Sequence, residues 1–137
     1  MPNWCENDLI IYNNDKEAFT LLYMDFKENG ISFEKMNPLD PKKSAYDEAI
    51  VKWGCKWDVN PDTVSEITLG KTFFKVSFDT PWGPPLMAIA ALSKKFPGNK
   101  IKLYGYERGM GFQCKVVFLG GKIIEQSQKS YSGQRGG

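Results

Sequence analysis

Hydrophobic residues recur along this chain with two periods. Residues 4–12 end in the apolar run Leu9-Ile10-Ile11-Tyr12, which predicts a strand. Asn13-Asn14-Asp15 then offers short side-chain oxygens that can cap the free amides of a helix start. Phe19, Leu22, Tyr23 and Phe26 follow at i, i+3, i+4 and i+7, the stripe of an amphipathic helix. Gly30 stops it, so a helix is predicted over 15–29. Pro38 and Pro41 mark 31–43 as a connection. A short helix comes next, with Ser44 as cap and Asp47 as its reciprocal partner. Tyr46, Ala49, Ile50 and Trp53 share its predicted buried face, and Gly54 ends it.

Beyond Gly54 the period becomes two. Cys55, Trp57 and Val59 alternate with Lys56 and Asp58, which predicts a strand with Trp57 on its core face. Asn60-Pro61-Asp62 breaks it. Ser65–Leu69 and Thr72–Asp79 then flank Gly70-Lys71, a pair suited to a type II′ hairpin turn, with Phe74, Val76 and Phe78 facing inward. Pro84-Pro85 opens a second helix, where missing amide donors cost little, and Leu86, Ile89, Ala90, Leu92, Ser93 and Phe96 form its buried side. Ile101–Tyr106 is a strand, and Phe112, Cys114, Val116 and Phe118 alternate along another. Gly120-Gly121 permits a last short strand around Ile123-Ile124.

The order β-α-(short α)-β-β-α-β plus a hairpin strand predicts an α+β, ferredoxin-like split βαβ domain. Its antiparallel sheet carries two helices on one face. One domain is expected over 1–125, followed by a flexible polar tail over 126–137 that lacks apolar periodicity.

Composition changes this picture little. The chain has 137 residues, 42% apolar and 25% charged, enough for a core without staples. Its 18 basic and 16 acidic residues leave +2, too small a charge to imply nucleic acid by itself. Cys5, Cys55 and Cys114 are odd in number and scattered, and there is no histidine. Three reduced cysteines in a cytoplasmic protein are therefore expected, with no metal, no cofactor and no membrane span.

All four tryptophans fall in Trp4 and two knots, Trp53-Gly54-Cys55-Lys56-Trp57-Asp58 and Phe78-Asp79-Thr80-Pro81-Trp82-Gly83-Pro84-Pro85. The second knot is expected to fold back toward the first. If some of these rings stay exposed beside Lys56, Tyr104 and Arg108, they form a stacking platform with positive charge, suited to a base. The candidate ligand-binding residues are therefore Trp53, Lys56, Trp57, Trp82, Tyr104 and Arg108. Asp58, Asp79 and Glu107 lie near predicted strand ends, but their spacing fits helix caps and partners of Lys56 and Arg108 better than an acid–base pair.

Met1-Pro2-Asn3-Trp4-Cys5, Trp53-Gly54 with Lys56-Trp57-Asp58, Thr80 with Trp82 and Pro84-Pro85, and Glu107-x-Gly109-x-x-Phe112 together resemble the Api92-like family. These anchors occur in the family's order along nearly the whole chain. Pro81, Gly83 and the lack of a glycine soon after Phe112 depart from its pattern. The resemblance implies a small ferredoxin-like protein of a phage or plasmid, acting in a bacterial cytoplasm, and carries no catalytic activity with it. The expectation is a non-catalytic binding protein for a nucleotide or single-stranded nucleic acid. The alternative is a protein-interaction module that docks on and inhibits a host factor, with an edge strand available for a homodimer. A free Pro2 amine acting as a tautomerase-like base is the remote enzymatic reading.

Overall fold

A computed structural model describes residues 3–130. The strands are β1 (Trp4–Tyr12), β2 (Thr68–Leu69), β3 (Phe73–Pro81), β4 (Ile101–Glu107), β5 (Phe112–Leu119) and β6 (Lys122–Ser130). The helices are α1 (Lys16–Asn29), α2 (Phe33–Met36), α3 (Ala45–Trp53) and α4 (Leu86–Lys95), with a 3-10 turn at Pro61–Thr63. All strand pairs are antiparallel, in the order β2-β3-β1-β4-β5-β6. Strands β4, β1, β3 and β2 form the split βαβ sheet expected from the sequence. The hairpin partners β5 and β6 extend it beyond β4.

Register sorts the faces. Leu9 lies opposite Val76 and Leu103, and Ile11 opposite Phe74 and Ile101. Because directly opposed residues share a face, these side chains form one apolar layer. The helices cover it. Phe74 takes edge contacts from Phe19, Tyr23 and Phe26 of α1 at 5.4, 5.6 and 5.7 Å. Each such pair adds about 0.5–1.5 kcal/mol beyond burial, which fixes α1 over β3. Asp15 caps α1 by accepting from the Ala18 amide.

Five local expectations are corrected. Residues 31–43 contain α2, capped by Ser32, because Phe33 and Met36 bury fully enough to support one turn. In α3, Ser44 makes no side-chain cap, and Tyr46 and Ile50 are exposed while Glu48, Ala49 and Trp53 are buried. Glu48 turns inward because its carboxylate accepts from the Asp40 amide at 3.1 Å. Residues 55–59 form no strand, since the Asp58 carboxylate holds this segment against the start of α2 instead of a sheet ladder. The hairpin closes with Gly70 N–H donating to Phe73 C=O, and Gly70 lacks the positive φ of a II′ turn. A Cβ on Gly70 would meet the Phe73 ring at 2.5 Å, so a larger residue there would require that ring to move. Finally, β6 is longer than expected: residues 126–130, read as tail, pair with Phe112–Val116. The remaining tail, 131–137, lies outside the described residues.

Candidate tryptophan-rimmed site

The site is built where β1 starts and β3 ends. Trp4 lies opposite Pro81 in the ladder, and the Trp82 amide donates to the Asn3 carbonyl at 2.7 Å. The chain then turns sharply. Gly83 N–H donates to the Pro81 carbonyl at 2.9 Å, and the Thr80 hydroxyl donates to the Gly83 carbonyl at 2.6 Å. Trp82 adopts φ 70°, the one positive φ outside glycine among the described residues. That conformation crowds the Cβ of a bulky residue, and such strain gathers at sites whose side chain must be aimed.

The second knot arrives from α3. Gly54 takes φ 85° at the helix end, and a Cβ on it would sit 3.3 Å from the Leu86 amide, so glycine lets α3 end against the start of α4. Asp58 then pins the loop: one oxygen accepts from Phe33 N (2.8 Å) and Val59 N (2.7 Å), the other from Glu34 N (3.1 Å). Cys55 and Val59 are buried by this arrangement, and Trp57 is turned outward. Trp57 meets Trp4 edge-on at 6.1 Å. The Lys56 ammonium lies 5.1 Å from the Trp82 ring centroid and 5.9 Å from that of Tyr46.

Trp4, Trp57 and Trp82 remain 41%, 42% and 41% exposed. Ile50, Gly54, Cys55, Lys56, Pro81 and Trp82 line a shallow groove of about 270 Å³ beside the end of α3, with Trp82 the one tryptophan in its wall. Tyr46, Ile50 and Met87 are exposed around it. The expected approach of the two knots is thus present, through Lys56 and Trp82.

Of Trp53, Tyr104 and Arg108, only Arg108, which follows the Glu107 opposite Cys5, lies at the same end of the sheet as Trp4. Trp53 is a core residue at 4% exposure, its Nε1 donating to the Asn37 carbonyl at 2.8 Å and its ring 5.9 Å from Phe33. Trp57, expected in the core, is at the surface. Arg108 pairs with Glu6 at 2.8 Å. Tyr104 lies opposite Asp8, four residues along β1 from Trp4, or about 13 Å away. Sequence reasoning missed Tyr46 and Ile50, because their i, i+4 spacing reads as a core stripe.

Of the expected carboxylate roles, Asp58 takes the helix cap, accepting from the first amides of α2, while Glu107 is fully buried with one oxygen accepting from the Gly109 and Met110 amides at 2.9 and 3.2 Å. Beneath the site, Cys5 and Cys114 flank Gly105, where a Cβ would come within 3.3 and 3.1 Å of their sulfurs. Burial, then the neighbouring Cys114 and Glu107, pushes the Cys5 thiol far above its usual range. Burial and then the Asp58 charge push Cys55 up to about 12. Buried neutral thiols are poor nucleophiles. Among the described residues no three Cys, Asp or Glu side chains converge as metal ligands, and no helix is long and apolar enough to cross a membrane.

The sheet order and covering helices define a ferredoxin-like domain. Over residues 52–135 the chain matches the ferredoxin-like domain of Api92-like proteins, and it belongs to that family. It is also similar in fold to the crystal structure of a protein Api92 from Yersinia pseudotuberculosis, at 18% identity and a TM-score of 0.51. That likeness covers 69% of this chain and 33% of the other, so the chain spans about a third of that protein's length. No curated protein matches the chain.

Proposed function

We propose that this chain is a non-catalytic protein-interaction module that docks through its tryptophan-rimmed end. The observation that carries the reading is three tryptophans, each about two-fifths exposed, gathered at one end of the sheet with Tyr46, Ile50 and Met87 beside them. Tryptophan and tyrosine are enriched among the hot spots of protein interfaces, and large exposed apolar side chains gathered in one place mark such contacts. The mobile-element origin implied by the family resemblance makes a bacterial host factor, met in the cytoplasm, the partner of choice. Affinity capture with the native chain and with Trp57→Ala and Trp82→Ala tests this. A protein retained by the native chain and lost by both folded variants supports it; equal retention by all three contradicts it.

One observation favours nucleotide or single-stranded nucleic acid as the second reading: Lys56 sits directly over the Trp82 ring. A base displacing the ammonium from that face would stack on Trp82 while Lys56 moved to its phosphate. The groove is smaller than most ligand pockets, and Arg108 already pairs with Glu6, which places this reading second. Quenching of tryptophan fluorescence by nucleotides or short oligonucleotides, with affinity falling as salt rises, would support it. Absence of quenching at millimolar nucleotide would remove it.

A further inference from the structure

Strand β6 closes one side of the sheet, and among the described residues nothing pairs with its outer edge. It is nine residues long, has no proline, and is exposed throughout. The ladder irregularity between Val117 and Phe118 distorts only its start, leaving Glu125–Ser130 in regular register with β5. Edge strands are commonly blunted by brevity, proline, bulges or charged side chains, and of these β6 from Glu125 onward has only the charges of Glu125 and Lys129. The opposite edge, β2, is blunted by being two residues long.

We propose that β6 joins two copies of this chain, antiparallel and about a two-fold axis at Ser127. The charge pattern selects both the partner and the register. Glu125, Ser127 and Lys129 lie opposite Val117, Lys115 and Gln113, on the face away from the helices. Gln126, Gln128 and Ser130 lie on the other face. A two-fold axis perpendicular to the sheet pairs residue i with a residue of the same face, and isologous contacts form in duplicate.

Of the registers such an axis allows, the one centred on Ser127 sets Glu125 against Lys129 of the second copy, twice. It also sets Gln126 against Gln128, twice, where side-chain amides can exchange hydrogen bonds. Centring on Glu125 would oppose two carboxylates, and centring on Gln126 would oppose Glu125 with Ser127. The self-complementary register is therefore specified by opposite charges directly across the strands. The product is one continuous sheet with all helices on the same side. The tryptophan-rimmed end takes no part, so failure of this inference leaves the docking proposal intact, and the reverse holds too.

Sedimentation equilibrium of the native chain over rising concentration tests it, together with Lys129→Glu and Glu125→Lys. Lys129→Glu leaves the Lys115–Glu125 ion pair of the same chain (3.3 Å) in place, so β6 itself should persist. The native chain is expected to pass from monomer to dimer, and each reversal to weaken association by roughly tenfold or more. Mixing the two variants is expected to restore it, because at positions 125 and 129 one strand then presents only ammonium groups and the other only carboxylates. Circular dichroism melts verify that each variant is folded. A native chain that stays monomeric to its solubility limit would overturn the proposal. So would a dimer indifferent to Lys129→Glu, or variants that fail to recombine on mixing.

Discussion

The ammonium of Lys56 rests over the indole of Trp82, 5.1 Å from the ring centroid, although the two lie in separate loops and Trp82 takes a strained backbone conformation to be there. Two substitutions separate backbone from side chain. Trp82→Gly and Trp82→Ala both remove the ring, but only glycine accepts φ 70° freely. Trp82→Gly should therefore be the more stable of the two by about 1 kcal/mol, read from denaturant midpoints. The reverse order would mean that the turn is not strained at this residue.

Trp53 and Trp57 sit one helical turn apart in sequence and should respond differently. Trp53→Ala empties a buried site and orphans the Asn37 carbonyl, so a loss of about 3–5 kcal/mol is expected. Trp57→Ala should cost roughly half that or less, since its ring is already two-fifths in water. Equal losses in urea melts would contradict this division between core and surface.

Asp58 ties the loop carrying Lys56 and Trp57 to the start of α2. Asp58→Ala leaves the Phe33, Glu34 and Val59 amides without that acceptor, at a cost of about 2–3 kcal/mol. Asp58→Asn keeps one acceptor oxygen and should fall between. Amide exchange of Phe33 and Val59 should quicken in step with the loss. Unchanged exchange would show that the loop is held by packing alone.

These positions also show what the sequence made legible. Strands β1, β3, β4 and β5 and helices α1 and α4 bury one clear face each, so their periods of two and 3.6 survive in the residues. The loop at 55–59 mimics a strand because Cys55 and Val59 do turn inward, yet its amides are satisfied by a carboxylate that no periodicity reports. Strand β6 reads short in the sequence because an edge with both faces in water has no apolar alternation to show. Of the site, the approach of the two knots was legible from where the tryptophans fall in the chain, but its closure through Lys56 and Trp82 was not. The outward turn of Tyr46 and Ile50 was not, since Ala49, Glu48 and Trp53 took the buried face of α3.

The cysteines give a pH dependence with a definite sign. Cys55 is raised from 9.0 to about 12 in the folded chain, so above about pH 9 the unfolded chain loses this proton first. Stability is thus fully present below pH 9 and falls as pH rises toward 12, by up to about 1.4 kcal/mol per unit from this thiol. Cys55→Ala should flatten that alkaline slope relative to the native chain. All three cysteines are free, so reductant at neutral pH should leave the melt unchanged.

Site-specific photo-crosslinking in bacterial cells tests the docking claim most directly. A photoreactive residue is placed at position 82, at position 57, or at Leu21, an exposed residue of α1 away from the tryptophans. Positions 82 and 57 should capture the same protein, and position 21 should not. Capture of nucleic acid alone at 82 and 57, or of the same protein at all three positions, would contradict a tryptophan-rimmed protein-docking surface.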